Sequence, residues 1–118
     1  MKLLSSTVLF LALFPSIMFG STLTTKNYIV TISRLCPEGS VTCDNVKYVG
    51  VSKKSGNIIK LNGTTLHTMC TDGKTPCHFQ GYEFKNGNIT YRVLERGLLQ
   101  VIQGESRVLL EEKGTWDY

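Results

Sequence analysis

The sequence has few of the residues and motifs that catalysis and cofactor binding need. Its 118 residues include only two histidines, with neither the G-x-S-x-G motif of a hydrolase nucleophile nor a glycine-rich phosphate loop. The acidic residues Glu83, Glu111 and Glu112 fall on predicted strands, where neighbouring side chains point in opposite directions or to solvent. That pattern does not supply the two carboxylates across a cleft that a glycosidase needs. We therefore expect a protein that is not an enzyme and that holds no cofactor.

The sequence also lacks a strong excess of charge. Thirteen lysines and arginines against nine acidic residues give a net charge of +4, and the basic residues are scattered among the acids. This charge is too weak and too dispersed to predict nucleic-acid binding. A hydrophobic content of 42% excludes a disordered chain, and the length allows a single domain.

Only the N-terminus carries a long apolar run. Residues 1–20 start with a lysine after Met, continue with apolar residues and end at the small residue Gly20. This order is typical of a secretory signal peptide, and the run is too short to cross a bilayer with ease. We expect cleavage near Gly20, with Ser21 or a later residue as the alternative, and one domain over residues 21–118. An uncleaved membrane anchor is the competing interpretation. The predicted location is periplasmic or secreted, with no stable membrane insertion after cleavage.

The four cysteines fall in two equal intervals. Cys36 and Cys43 bracket one segment and Cys70 and Cys77 another, and both segments follow the pattern C-x-(acid)-G-x-x-x-C. An exported chain meets an oxidising environment, so we expect two disulfides. Local pairing within each segment is favoured because a glycine-bearing turn brings the ends together. Chain entropy does not exclude the other pairings. A disulfide that closes a local loop would stabilise the fold by about 2.5 kcal/mol, and a Cys43–Cys70 bridge by about 3.6 kcal/mol.

Two alternatives give the histidines a chemical role. One is a zinc site formed by His67, His78 and the second cysteine pair, but zinc sites usually place cysteines closer together in sequence than these. We therefore expect no metal. The other is a ribonuclease-like enzyme in which His67 and His78 transfer protons while Lys60 or Lys85 holds a phosphate.

Short runs of β-branched and aromatic residues, separated by Gly and Asn, predict an all-β domain. No helical period follows residue 21. The predicted strands are 27–34, 46–51, 58–61, 66–69, 79–85, 88–94, 98–103 and 107–112. We expect seven or eight short antiparallel strands that form a small β-barrel or a two-layer sandwich stapled by the disulfides.

The strongest local signal is a hairpin whose two-residue turn is the Asn-Gly pair at 86–87. This turn predicts that Phe84 lies opposite Ile89 on a dry face. On the wet face it brings Glu83 and Arg92 close enough diagonally to attract each other. One dry and one wet face are typical of an antiparallel sheet that covers a core.

Loops on a rigid β scaffold are the usual place for binding residues. The candidate binding loop consists of Lys53, Lys54, Ser55 and Gly56. The predicted function is a non-enzymatic exported protein that occludes a partner protein, as an inhibitor or an immunity protein does. Disulfides would order the loops in advance and so reduce the entropy lost on binding. A structural component of the cell envelope is the remaining alternative.

Asn62 and Asn88 begin N-x-S/T sequons. They would be glycan sites only if the protein is exported by a eukaryotic cell.

The signal peptide, the stretch Cys43–Tyr48 and the strand Phe79–Tyr82 resemble small exported proteins of Gram-negative bacteria. The chain is also similar to the periplasmic inhibitors of C-type lysozyme, which are small disulfide-bonded β-barrels. That family presents a Ser-Gly loop and a Tyr/Trp-Lys-Gly segment to the cleft of the enzyme. By this resemblance, Ser55-Gly56 corresponds to the Ser-Gly loop and Lys113-Gly114 to the Tyr/Trp-Lys-Gly segment. In this chain a glutamate precedes the lysine, where the family has an aromatic residue. The resemblance implies a barrel fold and an inhibitory function.

Overall fold

The computed structural model describes residues 20–118, which form eight β-strands. The strands are β1 (Gly20–Thr25), β2 (Tyr28–Arg34), β3 (Val46–Ser52), β4 (Ile58–Met69), β5 (Pro76–Asn86), β6 (Ile89–Leu94), β7 (Leu98–Gln103) and β8 (Arg107–Asp117). Each strand pairs antiparallel with the next, and β8 pairs with β1, so the sheet closes into a barrel. Of the two predicted architectures, the barrel is therefore confirmed. The predicted signal peptide lies outside the described residues except for Gly20, which begins β1.

The core consists of the side chains that point into the barrel from alternate positions of each strand. Phe84 of β5 is fully buried, and the ring of Tyr48 from β3 lies 5.1 Å from it between centroids. The other side chains with almost no exposure are Leu23, Val30, Ile32, Val46, Val93 and Leu99. These residues come from six of the eight strands, so the hydrophobic effect holds together most of the circumference of the barrel.

Because successive strands run in opposite directions, the connections alternate between the two ends of the barrel. Both cysteine segments lie at one end, which we call the disulfide end. There Cys36 is bonded to Cys43 between β2 and β3, and Cys70 to Cys77 between β4 and β5. The local pairing is confirmed. The opposite end, which we call the turn end, carries the connections β1–β2, β3–β4, β5–β6 and β7–β8.

The hairpin of β5 and β6 differs from the prediction by two residues. Its turn consists of Gly87 and Asn88, and Phe84 pairs with Tyr91 instead of Ile89. Gly87 adopts a positive φ of 65° at the first turn position, which leaves the preceding asparagine in the strand. Since the shift is an even number of residues, the dry and wet faces are unchanged. Glu83 and Arg92 lie directly opposite each other and form an ion pair of 2.9 Å.

The assignment of strands from the sequence was also wrong for β1 and β4. The strand β1 was not predicted, and the runs 58–61 and 66–69 belong to the single strand β4. Gly63 lies between these runs and pairs with Phe84. A Cβ atom at Gly63 would overlap the carbonyl oxygen of Glu83. This glycine therefore permits close contact between β4 and β5 and does not end a strand.

Candidate functional site

The candidate binding loop connects β3 to β4 at the turn end. It brings together all four predicted residues, Lys53, Lys54, Ser55 and Gly56, and all of them are exposed. The Gly56 N–H donates to the Ser52 carbonyl at 2.8 Å, and the Ser52 N–H donates to the Asn57 carbonyl at 3.0 Å. The loop therefore has a backbone conformation fixed by its own hydrogen bonds.

A polar network holds this loop against the turn between β1 and β2. The Lys53 Nζ donates to the Thr25 carbonyl at 2.8 Å, and the Lys53 N–H donates to the Asn27 carbonyl at 2.8 Å. From β8, the Glu112 carboxylate accepts hydrogen bonds of 2.6 Å from Thr25 Oγ1 and from Asn27 Nδ2. Desolvation acts to raise the pKa of Glu112, but the hydrogen bonds outweigh it and the pKa is lowered. Lys53 thus stiffens the loop, whereas Lys54 has no ion-pair partner within residues 20–118.

Both disulfides lie at the end of the barrel opposite to this loop. The Cys36–Cys43 bridge closes only the β2–β3 connection, and the Cys70–Cys77 bridge closes only the β4–β5 connection. The prediction that disulfides order the candidate loop is therefore wrong. A crosslink restricts the loop that it closes, and the candidate loop is ordered by hydrogen bonds to itself and to the β1–β2 turn.

A cavity of about 400 Å³ opens at the turn end, inside the mouth of the barrel. Ser55 of the candidate loop contributes to its lining. The principal lining residues are Tyr28, Tyr48, Tyr91, Leu99, Val101 and Leu110. None of the residues that line the cavity carries a charge.

The inner wall of this cavity is aromatic. The ring of Tyr48 lies 5.6 Å from that of Tyr91 and 5.1 Å from that of Phe84, and the pairs are tilted. Such tilted arrangements are favourable contacts between aromatic rings. Burial raises the pKa of Tyr48 well above its usual value, with a further contribution from Tyr91, and burial also raises the pKa of Tyr91. Both phenols are therefore neutral at physiological pH.

An apolar ladder lies on the outer face of the barrel beside the candidate loop. It consists of Ile29 on β2, Val51 on β3 and Ile58 on β4, which pair in register across three strands. Ile29 is 38% exposed and Ile58 is 58% exposed. Two exposed isoleucines on either side of the half-buried Val51 form a surface that can lose contact with water when another molecule docks on it.

Aromatic side chains fill the barrel at the disulfide end. The Phe79 ring lies 5.2 Å from that of Tyr82 and 5.6 Å from that of His67, in edge-to-face contact, and the Arg34 guanidinium lies 5.9 Å from the Phe79 centroid. The Trp116 Nε1 donates to a backbone carbonyl at 3.3 Å. Pockets of about 70 Å³ and about 220 Å³ remain beside these rings.

The two histidines are not brought together. His67 packs on Phe79, whose ring faces the core. His78 precedes Phe79 in β5 and therefore points to the outer face, and Lys60 and Lys85 also lie on the outer face because their neighbours point inward. The wall of the barrel thus separates His67 from the other groups of the ribonuclease-like arrangement.

The cysteines of the zinc alternative are joined in a disulfide and cannot act as thiolate ligands. Within residues 20–118, no group of three or more His, Cys, Asp or Glu side chains is arranged to hold a metal ion.

The geometry does not place the two dipeptides of the lysozyme-inhibitor resemblance at one site. Ser55 lines the cavity at the turn end, whereas Lys113 and Gly114 of β8 line a separate hollow beside Gly97. No protein-family model matches the chain, and no curated protein and no solved structure shows significant similarity to it. In the described part of the chain, no helix is both long and apolar enough to cross a membrane.

Sequence reasoning did not identify the cavity, although β3 carries a signal for it. The inward positions of this strand are Val46, Tyr48, Gly50 and Ser52, so the side chains become small towards the turn end. In a small barrel the interior is normally filled by side chains. Two consecutive inward positions with a glycine and a serine therefore indicate unfilled space at that end.

Proposed function

We propose that the chain is an exported, non-enzymatic binding protein that occludes a partner protein with the turn end of its barrel. The two disulfides support export, since they are compatible with an oxidising compartment such as the periplasm. The observation that carries the proposal is the position of a stiff, lysine-bearing loop directly beside the exposed apolar ladder.

The stiffness of the loop favours tight binding. Ordering a flexible loop on association costs free energy, about 0.5–1.5 kcal/mol for each immobilised side chain with many rotamers. The hydrogen bonds of Ser52, Gly56 and Lys53 already fix the backbone of this loop. The part of the ordering cost that concerns the loop backbone is therefore met on folding and not on binding.

The chemistry of the surface defines the partner. Ile29 and Ile58 offer exposed apolar area, and Lys54 adds a positive charge that has no ion-pair partner among residues 20–118. We expect the partner to present an apolar patch bordered by aspartate or glutamate. Opposite charges at the rim of an interface accelerate association and make it sensitive to salt.

The test compares the wild-type protein with three variants as immobilised baits in an extract of the source cells. Lys54→Glu reverses the charge on the loop, and Ile58→Ser removes part of the apolar ladder. Lys47→Glu is the matched control, because it reverses an exposed charge at the far end of β3, the strand that leads into the loop. Retained proteins are identified by mass spectrometry and their affinities are then measured with the purified partner.

We expect one protein to bind the wild type and Lys47→Glu, and to bind Lys54→Glu and Ile58→Ser at least about tenfold more weakly, a loss of about 1.4 kcal/mol. The proposal is wrong if the wild type retains no specific protein, or if all four baits retain it equally. A C-type lysozyme is the first purified partner to test, because the inhibitor resemblance includes Ser55-Gly56. RNA cleavage that is lost in His67→Ala would contradict the non-enzymatic assignment.

A further inference from the structure

The cavity at the turn end has the size and lining of a site for a small molecule. Its volume of about 400 Å³ lies within the range of roughly 300–1,000 Å³ that is usual for ligand pockets. At the ~30 Å³ that a water molecule occupies in the liquid, this space holds about 13 waters.

Gly50 creates part of this space. A Cβ atom at this position would lie 2.7 Å from the Tyr48 hydroxyl and 2.8 Å from its Cε1 atom. The absence of a side chain therefore allows the Tyr48 ring to lie along the wall of the barrel and leaves the mouth open. Any larger residue here would push the phenol into the cavity.

A β-bulge brings a further apolar side chain to the mouth. The pairing of β7 with β8 shifts between Val101 and Ile102, which pair with Leu110 and Val108. Leu109 is the extra residue of β8 at this point; it lines the cavity and is 47% exposed. Bulges often re-aim a side chain at the rim of a barrel or beside a site, and this one adds apolar surface where a ligand would enter.

One polar group of the cavity, the Tyr48 hydroxyl, is free to donate a hydrogen bond to a ligand. The Tyr48 hydroxyl has no hydrogen-bond partner among the described residues. Within residues 20–118, every fully buried polar side-chain atom does have such a partner. The hydroxyl must therefore reach the cavity, where it meets water or a ligand. The residues around this hydroxyl in the cavity are uncharged, and the phenol itself is neutral. Its O–H therefore donates a hydrogen bond without an electrostatic preference for an anionic ligand.

We propose that this cavity binds a small neutral molecule with an apolar ring or chain and one carbonyl-type acceptor, which accepts a hydrogen bond from the Tyr48 hydroxyl. Tyr28, Tyr91 and Leu109 contact the apolar part. The site is inside the barrel, whereas the apolar ladder lies on the outer face; Ser55 is the one residue of the candidate loop that lines the cavity.

The test uses 6-propionyl-2-dimethylaminonaphthalene, a neutral fluorophore with a naphthalene ring and a carbonyl acceptor whose emission shifts to the blue in an apolar site. The anionic probe 1-anilinonaphthalene-8-sulfonate is the charged comparison. Val101→Trp fills the cavity, and Ile102→Trp is the matched control on the outer face of the same strand. Tyr48→Phe removes only the proposed donor.

We expect the neutral probe to bind the wild type and Ile102→Trp with equal affinity and to lose binding to Val101→Trp. Tyr48→Phe should weaken it about three- to tenfold, as expected for one hydrogen bond. If Val101→Trp does not fold, Gly50→Ala replaces it, since its Cβ displaces the Tyr48 ring. The proposal fails if Val101→Trp binds the probe as well as the wild type, if the wild type does not bind it, or if the anionic probe binds more tightly.

NMR chemical shifts of the labelled protein locate the bound probe. Signals from Tyr48, Tyr91 and Leu99 should move on titration, while the Trp116 indole signal at the disulfide end should not. Shifts confined to Trp116 and Phe79 would place the probe at the wrong end and overturn the assignment.

Discussion

The two disulfides close loops of the same length but differ in their surroundings. Each joins cysteines separated by seven positions. Cys43 is 3% exposed and belongs to the core, and Cys36 packs against that core. Cys77 is exposed and lies near the start of β5. Replacing each pair by alanine therefore separates the contribution of loop closure from that of burial.

The loop-closure contribution is the same for both pairs. With loops of this length, removing either bridge costs about 2.5 kcal/mol by the chain-entropy relation. Removal of the buried Cys43 sulfur adds the loss of one core atom, which costs about 1 kcal/mol. We expect Cys36→Ala/Cys43→Ala to lower the free energy of unfolding by about 3.5 kcal/mol, and Cys70→Ala/Cys77→Ala by about 2.5 kcal/mol.

Urea unfolding followed by circular dichroism measures both values, with the wild type under the same oxidising conditions. For an m-value of about 1.5 kcal/mol/M, the extra 1 kcal/mol lowers the midpoint of the first variant by a further ~0.7 M. The reasoning is refuted if the two variants unfold at the same midpoint, or if the variant without Cys70 and Cys77 is the less stable one.

Three further predictions follow from single residues. Gly63→Ala should destabilise the fold by at least about 3 kcal/mol, because its Cβ atom meets the β5 backbone. Gly87→Ala should cost about 1 kcal/mol, because this position has open space but a positive φ. Thermal unfolding of both variants measures the two losses of stability. The Asp72 carboxylate accepts hydrogen bonds from the Thr75 hydroxyl and from two backbone N–H groups, which lower its pKa to about 2. An NMR titration of Thr75→Val should show this pKa closer to its usual value of 3.8. The pKa of Glu112 is lower in the folded state than in the unfolded state. Its carboxylate therefore stabilises the fold at pH values above the unfolded-state pKa of about 4.5, and this stabilisation is lost as the pH falls through the lower folded-state pKa. The stability difference between wild type and Glu112→Gln should therefore shrink on acidification, and a constant difference would contradict it.

Much of the fold could be predicted because local patterns determine it. The alternation around Phe84 placed the dry and wet faces of the β5–β6 hairpin correctly even though the register was wrong by two residues. Because side chains alternate along a strand with a period of two, a shift of two residues leaves the same residues on each face. The predicted faces and the predicted attraction between Glu83 and Arg92 are therefore correct despite the shift. The two disulfides were predictable for a similar reason, since each depends on a short segment with its own turn.

The features that sequence reasoning missed depend on distant partners. β1 has one large buried side chain, Leu23, and too little pattern to be recognised; it is a strand because β2 and β8 both pair with it. The cavity at the turn end exists because Tyr28, Tyr91 and Leu110 arrive from three other strands around the small residues of β3. Neither relation is visible within a single segment.

Closure of the sheet has a consequence for the order of assembly. Leu23 of the first strand lies opposite Trp116 of the eighth, so synthesis must pass nearly the whole described chain before this seam can form. Until β8 has paired with β1, the edge of β1 and the edge of the last strand formed expose unpaired backbone groups that can pair with another copy. Nascent chains that are crowded or stalled before Arg107 should therefore be the species most at risk of aggregation, although the finished molecule has no free edge in its closed sheet.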